Sequence, residues 1–139
     1  MSGRSWLLMF ILAASAAQSA EALFESDSKR FGNPKMDIVV AEIERRPRVS
    51  VLDIRIKAVG SSVGSSFFLL CSVRGLARQR GNFRYVSKIE RNAVGHMLIG
   101  FLQHAGEPAA NLGPEFAAAG SAATEIDLEQ FAPICDRMS

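Results

Sequence analysis

The sequence predicts one small α+β domain, in which an antiparallel or mixed sheet of three to four strands packs against one amphipathic helix and a short helix follows near the C-terminus. Three segments carry this prediction. Residues 49–59 alternate apolar and charged side chains, residues 67–80 have apolar side chains at helical spacing, and residues 96–103 are largely apolar. A length of 139 residues leaves room for one such domain.

The composition excludes several classes of protein. Hydrophobic residues make up 48% of the chain and charged residues 22%, with 11 glycines, 5 prolines and a net charge of +2. These values exclude a collagenous chain, a strongly disordered chain and a polytopic membrane protein. We therefore expect a globular domain with an ordinary apolar core.

The N-terminal segment has the three parts of a secretory signal peptide. Arg4 is the only charged residue before Glu21, an apolar stretch covers residues 6–14, and small residues follow it. The Ala-Glu-Ala sequence at residues 20–22 predicts the cleavage site, and Ser-Ala-Ala at residues 15–17 offers an earlier one. The segment therefore predicts export from the cytoplasm.

An uncleaved membrane anchor is the alternative for this segment. The uncharged run, residues 5–20, is shorter than the roughly 20 residues that cross a bilayer. No cysteine lies near the cleavage site to carry a lipid anchor. We expect residues 1–22 to be removed, leaving a periplasmic or secreted protein without a transmembrane span.

The chain has two cysteines, Cys71 and Cys135. In an oxidising compartment an even number of cysteines favours a disulfide over a metal site or a nucleophile. A bond between them would close a long loop and stabilise the fold by about 4 kcal/mol. The alternative is a pair of free thiols.

The N-terminal lead, residues 23–48, has weak patterns. Residues 36–46 are rich in apolar side chains but fit a strand and a short helix equally poorly, and Pro47 interrupts the chain. The next segment is a clear half-buried strand. The residues predicted to face the core are Leu52, Ile54, Ile56 and Ala58. Those predicted to face solvent are Asp53, Arg55 and Lys57.

The Gly- and Ser-rich residues 60–66 predict a turn whose serines cap the following helix. The helix is expected to end at Gly81 as its C-terminal cap. Arg78 and Arg80 lie in its last turn, where the helix dipole favours cations.

Beyond the helix, residues 83–90 alternate as a second strand and residues 92–95 form a turn. Residues 96–103 are apolar on both faces, which suits a central strand and completes the α+β core, residues 49–104. The remainder, residues 105–139, is expected to be a loop with a short helix at residues 125–131.

The order of these elements resembles small exported bacterial envelope proteins of uncharacterised function, including Caulobacter-type lipoproteins. The resemblance covers residues 49–103 and depends on the helix ending Gly-Leu-Ala-Arg-Gln-Arg-Gly and the Phe-Arg-Tyr-Val strand. The chain departs from the lipoproteins because it has no lipobox cysteine. The resemblance implies a cell-envelope protein and assigns no catalytic residue to this chain.

Residues 60–64, Gly-Ser-Ser-Val-Gly, match the G-x-S-x-G motif between a predicted strand and a predicted helix. In a serine hydrolase Ser62 would be the nucleophile, and Glu90 would orient His96 or His104. The serine-hydrolase fold needs a largely parallel sheet that is buried on both faces, whereas the strand before this motif alternates apolar and charged residues. We therefore favour a capping turn and keep a minimal serine hydrolase as the alternative function.

The sequence gives no reason to expect a metal or a cofactor. His96 and His104 are eight residues apart, which on one strand separates them by ~26 Å. The loop at residues 60–66 also lacks the spacing and the lysine of a phosphate-binding loop.

Arginine is the main cation of the chain, and Arg74 and Arg78 lie one turn apart on the predicted helix. Two cations on one face repel each other mildly unless an anion lies over them. They are therefore the predicted binding site for an anionic envelope component or another envelope protein, and a solvated basic face is the alternative. We expect no nucleic-acid partner. The predicted function is a non-catalytic binding or structural accessory of the cell envelope.

Overall fold

A computed structural model describes residues 22–138. Its sheet has six strands in the order β1-β2-β3-β5-β4-β6, and every neighbouring pair is antiparallel. The α+β class is confirmed, but the expected three to four strands are too few. The strands are β1 (Glu25–Asp27), β2 (Asp37–Arg45), β3 (Val49–Ala58), β4 (Tyr85–Ile89), β5 (Met97–Leu102) and β6 (Ala123–Asp127). The helices are α1 (Ser62–Gly81), α2 (Pro114–Ala119) and α3 (Ala132–Met138).

The additional strands come from segments outside the predicted core. The lead contributes β1 and β2, and the C-terminal segment contributes β6, which pairs with β4. Of the one or two helical turns expected at residues 125–131, the structure has one, the 3-10 helix Leu128–Phe131, because residues 125–127 belong to β6. The C-terminal helix is α3, which includes Pro133 as its second residue, where no intrahelical N–H bond is lost.

The second half of β3 differs from its prediction. Ser50, Val51 and Leu52 pair with both β2 and β5. From Asp53 to Ala58 the pairs are with β2 alone, because β5 begins at Met97, opposite Leu52. Leu52 and Ile54 pack in the core as expected. Ile56 is 54% exposed and Ala58 is exposed, so the expectation that they face the core is wrong.

The ends of α1 are set by local capping. Ser61 is the N-cap, since its hydroxyl accepts a hydrogen bond from the amide of Gly64, and the helix begins at Ser62, inside the predicted turn. Its C-cap is Asn82, not Gly81. Asn82 has a φ of 61°, which asparagine tolerates better than most residues.

The sheet buries apolar side chains on both faces of β5, as the sequence predicts for a central strand. On one face the side chains of Met97, Ile99 and Phe101 join a core that includes residues of α1. On the other face Leu98 and Leu102 pack beneath α2 and the 3-10 turn Ala109–Leu112. Gly100 lies on this second face, where a Cβ would overlap Leu112.

The predicted disulfide between Cys71 and Cys135 is present, with their Cα atoms 5.3 Å apart. It joins the middle of α1 to α3, so the C-terminal helix is tied to the main helix. Within residues 22–138 no helix is long and apolar enough to cross a membrane. The predicted signal peptide, residues 1–22, lies outside the described residues apart from Ala22.

Candidate functional site

An open cavity of about 400 Å³ lies between the N-terminal half of α1, helix α3 and the 3-10 turn Ser28–Phe31. This volume falls within the range of small-molecule sites in proteins. Most of its walls are apolar, and the polar residues that line it are few. The apolar side chains are those of Phe31, Met36, Phe67, Phe68, Ile134 and Met138.

The 3-10 turn that forms one wall is anchored to the start of β2. The buried hydroxyl of Ser28 donates to the carbonyl of Met36 and accepts from the amide of Ile38, at 3.2 and 2.9 Å. The ring of Phe31 meets that of Phe68 edge-on, with their centroids 5.6 Å apart. The turn is therefore fixed to the sheet, while Phe31 stays partly exposed above the cavity.

Helix α3 forms the opposite wall and is held to α1 by covalent and ionic contacts. The disulfide links the two helices, and Cys71 Sγ lies 3.7 Å from Met138 Sδ. Arg74 of α1 reaches Asp136 at 3.3 Å and Glu129 at 3.6 Å. These contacts keep Ile134 and Met138 in position on the cavity wall.

Arg137 is the charged residue that lines the cavity. Its Nε donates to the carbonyl of Pro133 at 3.2 Å, and no carboxylate of residues 22–138 forms an ion pair with it. Its side chain is exposed. A cation without an ion-pair partner in the described part of the chain therefore borders an apolar cavity, an arrangement that suits a ligand with an apolar body and an anionic end.

The structure places Ser62 at the first position of α1, where it is exposed. Its carbonyl accepts from the hydroxyls of Ser65 and Ser66, as in an ordinary helix start. No hydrogen bond of the described chain joins the Ser62 hydroxyl to His96 or Glu90. The carboxylate of Glu90 is 78% exposed and lies 3.9 Å from Lys88. The hydrolase alternative stays a prediction, which loss of esterase activity in Ser62→Ala would support.

The two arginines of the predicted anion site have different surroundings. Arg74 is only 11% exposed, and the anions beside it are Glu129 and Asp136 of the same chain. Arg78 is exposed, and no ion pair within residues 22–138 includes it. An external anion would therefore meet Arg78 more readily than Arg74, and binding at this pair stays a prediction.

A buried polar cluster at the β2–β3 turn was not foreseen from the sequence. The Glu42 carboxylate is fully buried and accepts hydrogen bonds from Arg45, the Ser50 hydroxyl and the amide of Phe24. Arg80 lies 3.7 Å from it and donates to the Arg46 and Pro47 carbonyls. Burial raises the pKa of Glu42, but the hydrogen bonds outweigh it, and the net pKa is lowered.

A second carboxylate, that of Glu107, fixes the same turn from its other side. It accepts from Arg48 at 2.7 Å, from the amide of Gln103 at 2.7 Å and from Asn111 at 3.3 Å. Arg48 and these hydrogen bonds lower the pKa of Glu107 to about 2. Both carboxylates have their charge matched within the fold, so we assign this cluster a structural role.

The described residues contain no group of His, Cys, Asp and Glu side chains that could hold a metal ion. Nδ1 of His104 lies 3.0 Å from the carbonyl of Ala105, and His104 is exposed. His96 precedes β5, and its amide hydrogen-bonds to Asn92 in the preceding turn. Comparisons with protein-family models, with curated proteins and with solved structures found no match.

The cavity also went unpredicted, although one signal for it is visible in the sequence. Phe67 and Phe68 open the helical pattern with two aromatic rings, more than one buried face requires. Phe68 is buried, and Phe67 is half-buried on the cavity wall. The other wall comes from residues about 65 positions later in the chain, whose approach no local pattern reveals.

Proposed function

We propose that the chain is an exported, non-catalytic binding protein of the cell envelope whose ligand is an anionic amphiphile with an acyl-type apolar chain. The observation that carries the proposal is the apolar cavity of about 400 Å³ bordered by Arg137. The apolar chain would cover Phe31 and Phe67, and the anionic group would pair with the guanidinium.

Burial of apolar surface would supply most of the affinity for such a ligand. Each CH₂ group removed from water contributes about 0.8 kcal/mol, while one exposed ion pair contributes less than about 1 kcal/mol. The cavity walls would therefore set the affinity, and Arg137 would set the preference for an acid over an alcohol. The lining offers no pair of acid and base side chains for catalysis, which favours binding over turnover.

Export is supported by two independent features. The N-terminal residues have the pattern of a signal peptide, and the fold contains a disulfide, a bond that persists in oxidising compartments. Fractionation of the producing cell with N-terminal sequencing tests this part. Recovery of the uncleaved chain from the cytoplasm would contradict it.

The binding proposal is tested by titrating the purified protein with a fluorescent long-chain fatty acid and with the corresponding long-chain alcohol. We expect saturable binding of both probes, with tighter binding of the acid. Arg137→Ala should weaken acid binding by roughly three- to tenfold and leave alcohol binding unchanged. Phe67→Asp should remove binding of both, because it places a charge in the apolar wall.

Arg91→Ala is the matched control, since Arg91 is an exposed arginine that lies outside both the cavity lining and the predicted Arg74/Arg78 anion site. It should bind both probes like the unmodified protein. Unfolding curves of all variants check that the fold is kept. The absence of saturable binding, or equal binding by the Phe67→Asp variant, would overturn the proposal.

A further inference from the structure

A second open cavity, of about 230 Å³, lies beside the first one along α1, with walls from α1, strand β1 and the 3-10 turn Ser28–Phe31. Three residues of α1 line the first cavity and three line the second. Their spacing is that of a single helix face, which extends for about 16 Å along the axis. The residues are Gly64, Phe67, Phe68, Cys71, Ser72 and Gly75. The two cavities therefore lie end to end on one face of α1.

Phe31 stands between the two cavities, since of the described residues it alone lines both. Its ring meets that of Phe68 edge-on, and Phe68 is buried in the core beneath α1. The turn that carries Phe31 is also held, because Ser28 hydrogen-bonds to two backbone groups around the start of β2. Phe31 is therefore a partition supported by the core on one side and by the sheet on the other.

The charges around the two cavities orient an acid in one direction. The second cavity is lined by the carboxylates of Glu25 and Asp27 and by the guanidinium of Arg30, so acidic groups outnumber basic ones there. The first cavity is bordered by Arg137, and no carboxylate of the described residues lines it. A fatty-acid headgroup is therefore favoured at Arg137 on α3, and the apolar end of the chain points across the cavity towards the turn that carries Phe31.

We propose that Phe31 sets the length of the acyl chain that the first cavity accepts, by closing it off from the second. This inference rests on the proposed function, because it concerns the same ligand in the same cavity. With the ring in place, the end of the chain meets Phe31, and CH₂ groups beyond the filled length stay in water and add nothing to the affinity. Without the ring, the chain continues along α1 into the second cavity, past Cys71 and Gly75. Phe31 is thus a specificity-determining residue.

The test titrates the purified protein with straight-chain saturated fatty acids of increasing length, in competition with the fluorescent fatty acid. For the unmodified protein, the affinity should rise about fourfold with each added CH₂ group and then reach a plateau. Phe31→Ala should move the plateau to longer chains, so that an acid two CH₂ groups beyond the unmodified plateau gains on the order of tenfold in affinity. Phe31→Leu removes less of the partition and should move the plateau less in the same direction. It carries the test if unfolding curves show that Phe31→Ala does not fold.

Gly75→Leu in the Phe31→Ala background fills the second cavity and should return the plateau to its unmodified position. The helix accepts a side chain there, because a Cβ at Gly75 would lie 3.4 Å from its nearest neighbour, the ring of Phe24, which is an ordinary contact. Tyr85→Ala is the control, since it removes a half-buried aromatic ring that packs on the other face of the sheet from α1. It should keep the unmodified plateau.

The outcomes separate this inference from the proposed function. Fatty-acid binding with the same plateau in the unmodified protein and in the folded Phe31 variants would overturn the inference and leave the proposed function standing. A longer plateau that Gly75→Leu does not reverse would also overturn it, because the chain would not then enter the second cavity. Absence of fatty-acid binding by the unmodified protein would overturn the proposed function, and the inference with it.

Discussion

The polar cluster at the β2–β3 turn and the apolar cavity lie beside opposite ends of the same helix. At the C-terminal end, Arg80 of α1 reaches Glu42 and the turn carbonyls, so its charge is met by fixed acceptors. At the N-terminal end, Gly64 and Phe67 line an open cavity. The two ends of α1 therefore have different surroundings. Buried charges that are fully hydrogen-bonded hold the fold together at one end, whereas the other end borders apolar walls and Arg137, which has no ion pair within residues 22–138.

The largest expected effect comes from breaking the polar cluster. Glu42→Ala removes a fully buried carboxylate from beside Arg45 and Arg80 and should lower the free energy of unfolding by about 3–5 kcal/mol. Urea unfolding measures the change. Glu44→Ala is the control, since Glu44 is an exposed glutamate paired with Arg46 on the same strand, and it should have little effect. Equal effects of the two variants would show that the cluster is not a structural anchor.

Removal of the disulfide should have the next largest effect and should act on the cavity as well. Cys71→Ser/Cys135→Ser opens a loop with a sequence separation of 64 and should lower the free energy of unfolding on the order of 2–4 kcal/mol. Fatty-acid binding should weaken too, because α3 forms one wall. Calorimetric unfolding and the binding titration measure the two effects. Unchanged stability of the double variant would contradict the expectation.

The smallest effect should be a dependence of stability on acid pH. The pKa of Glu107 in the fold is about 2, against an ordinary value of 4.5, so the unfolded chain binds its proton first as the pH falls. The contribution of Glu107 is therefore complete above about pH 4.5 and is lost as the pH falls towards 2.

Urea unfolding across this pH range should show a shallower loss of stability in Glu107→Gln than in the unmodified protein. Glu90→Gln alters an exposed glutamate and should keep the unmodified slope. Fatty-acid binding at neutral pH should be unchanged in Glu107→Gln, because Glu107 lies outside the cavity lining. A slope unaffected by Glu107→Gln would contradict the prediction.

Sequence patterns predicted the elements whose signals are local. Ser61 is a helix cap because its own side chain reaches the amide of Gly64, three residues later. Residues 97–102 read as a central strand because apolar residues dominate both faces, and β5 is buried on both. The disulfide followed from the presence of only two cysteines together with the expectation of export. The helix cap and the strand needed no distant partner, and the partner of Cys71 could be named because the chain has only one other cysteine, 64 positions away.

The candidate site depended on partners far apart in the chain. Arg74 reads as a free cation in the sequence, because Glu129 and Asp136 follow it by more than 50 residues. The sequence shows Arg137 only as a residue near the end of the chain, and the packing of α3 against α1 brings it to the cavity. The cavity exists only where the turn after β1, helix α1 and helix α3 meet.

By itself, the sequence predicted the α+β class, most of α1, the strands β3 and β5, and the two cysteines that could form a bond. Tertiary structure decided that residues 123–127 form a strand, that residues 53–58 are an exposed edge and that Glu42 is buried among arginines. The physical reason is the range of the interactions involved. Capping and periodicity act within a few residues, whereas strand pairing and charge compensation join segments whose separation along the chain carries no local signal.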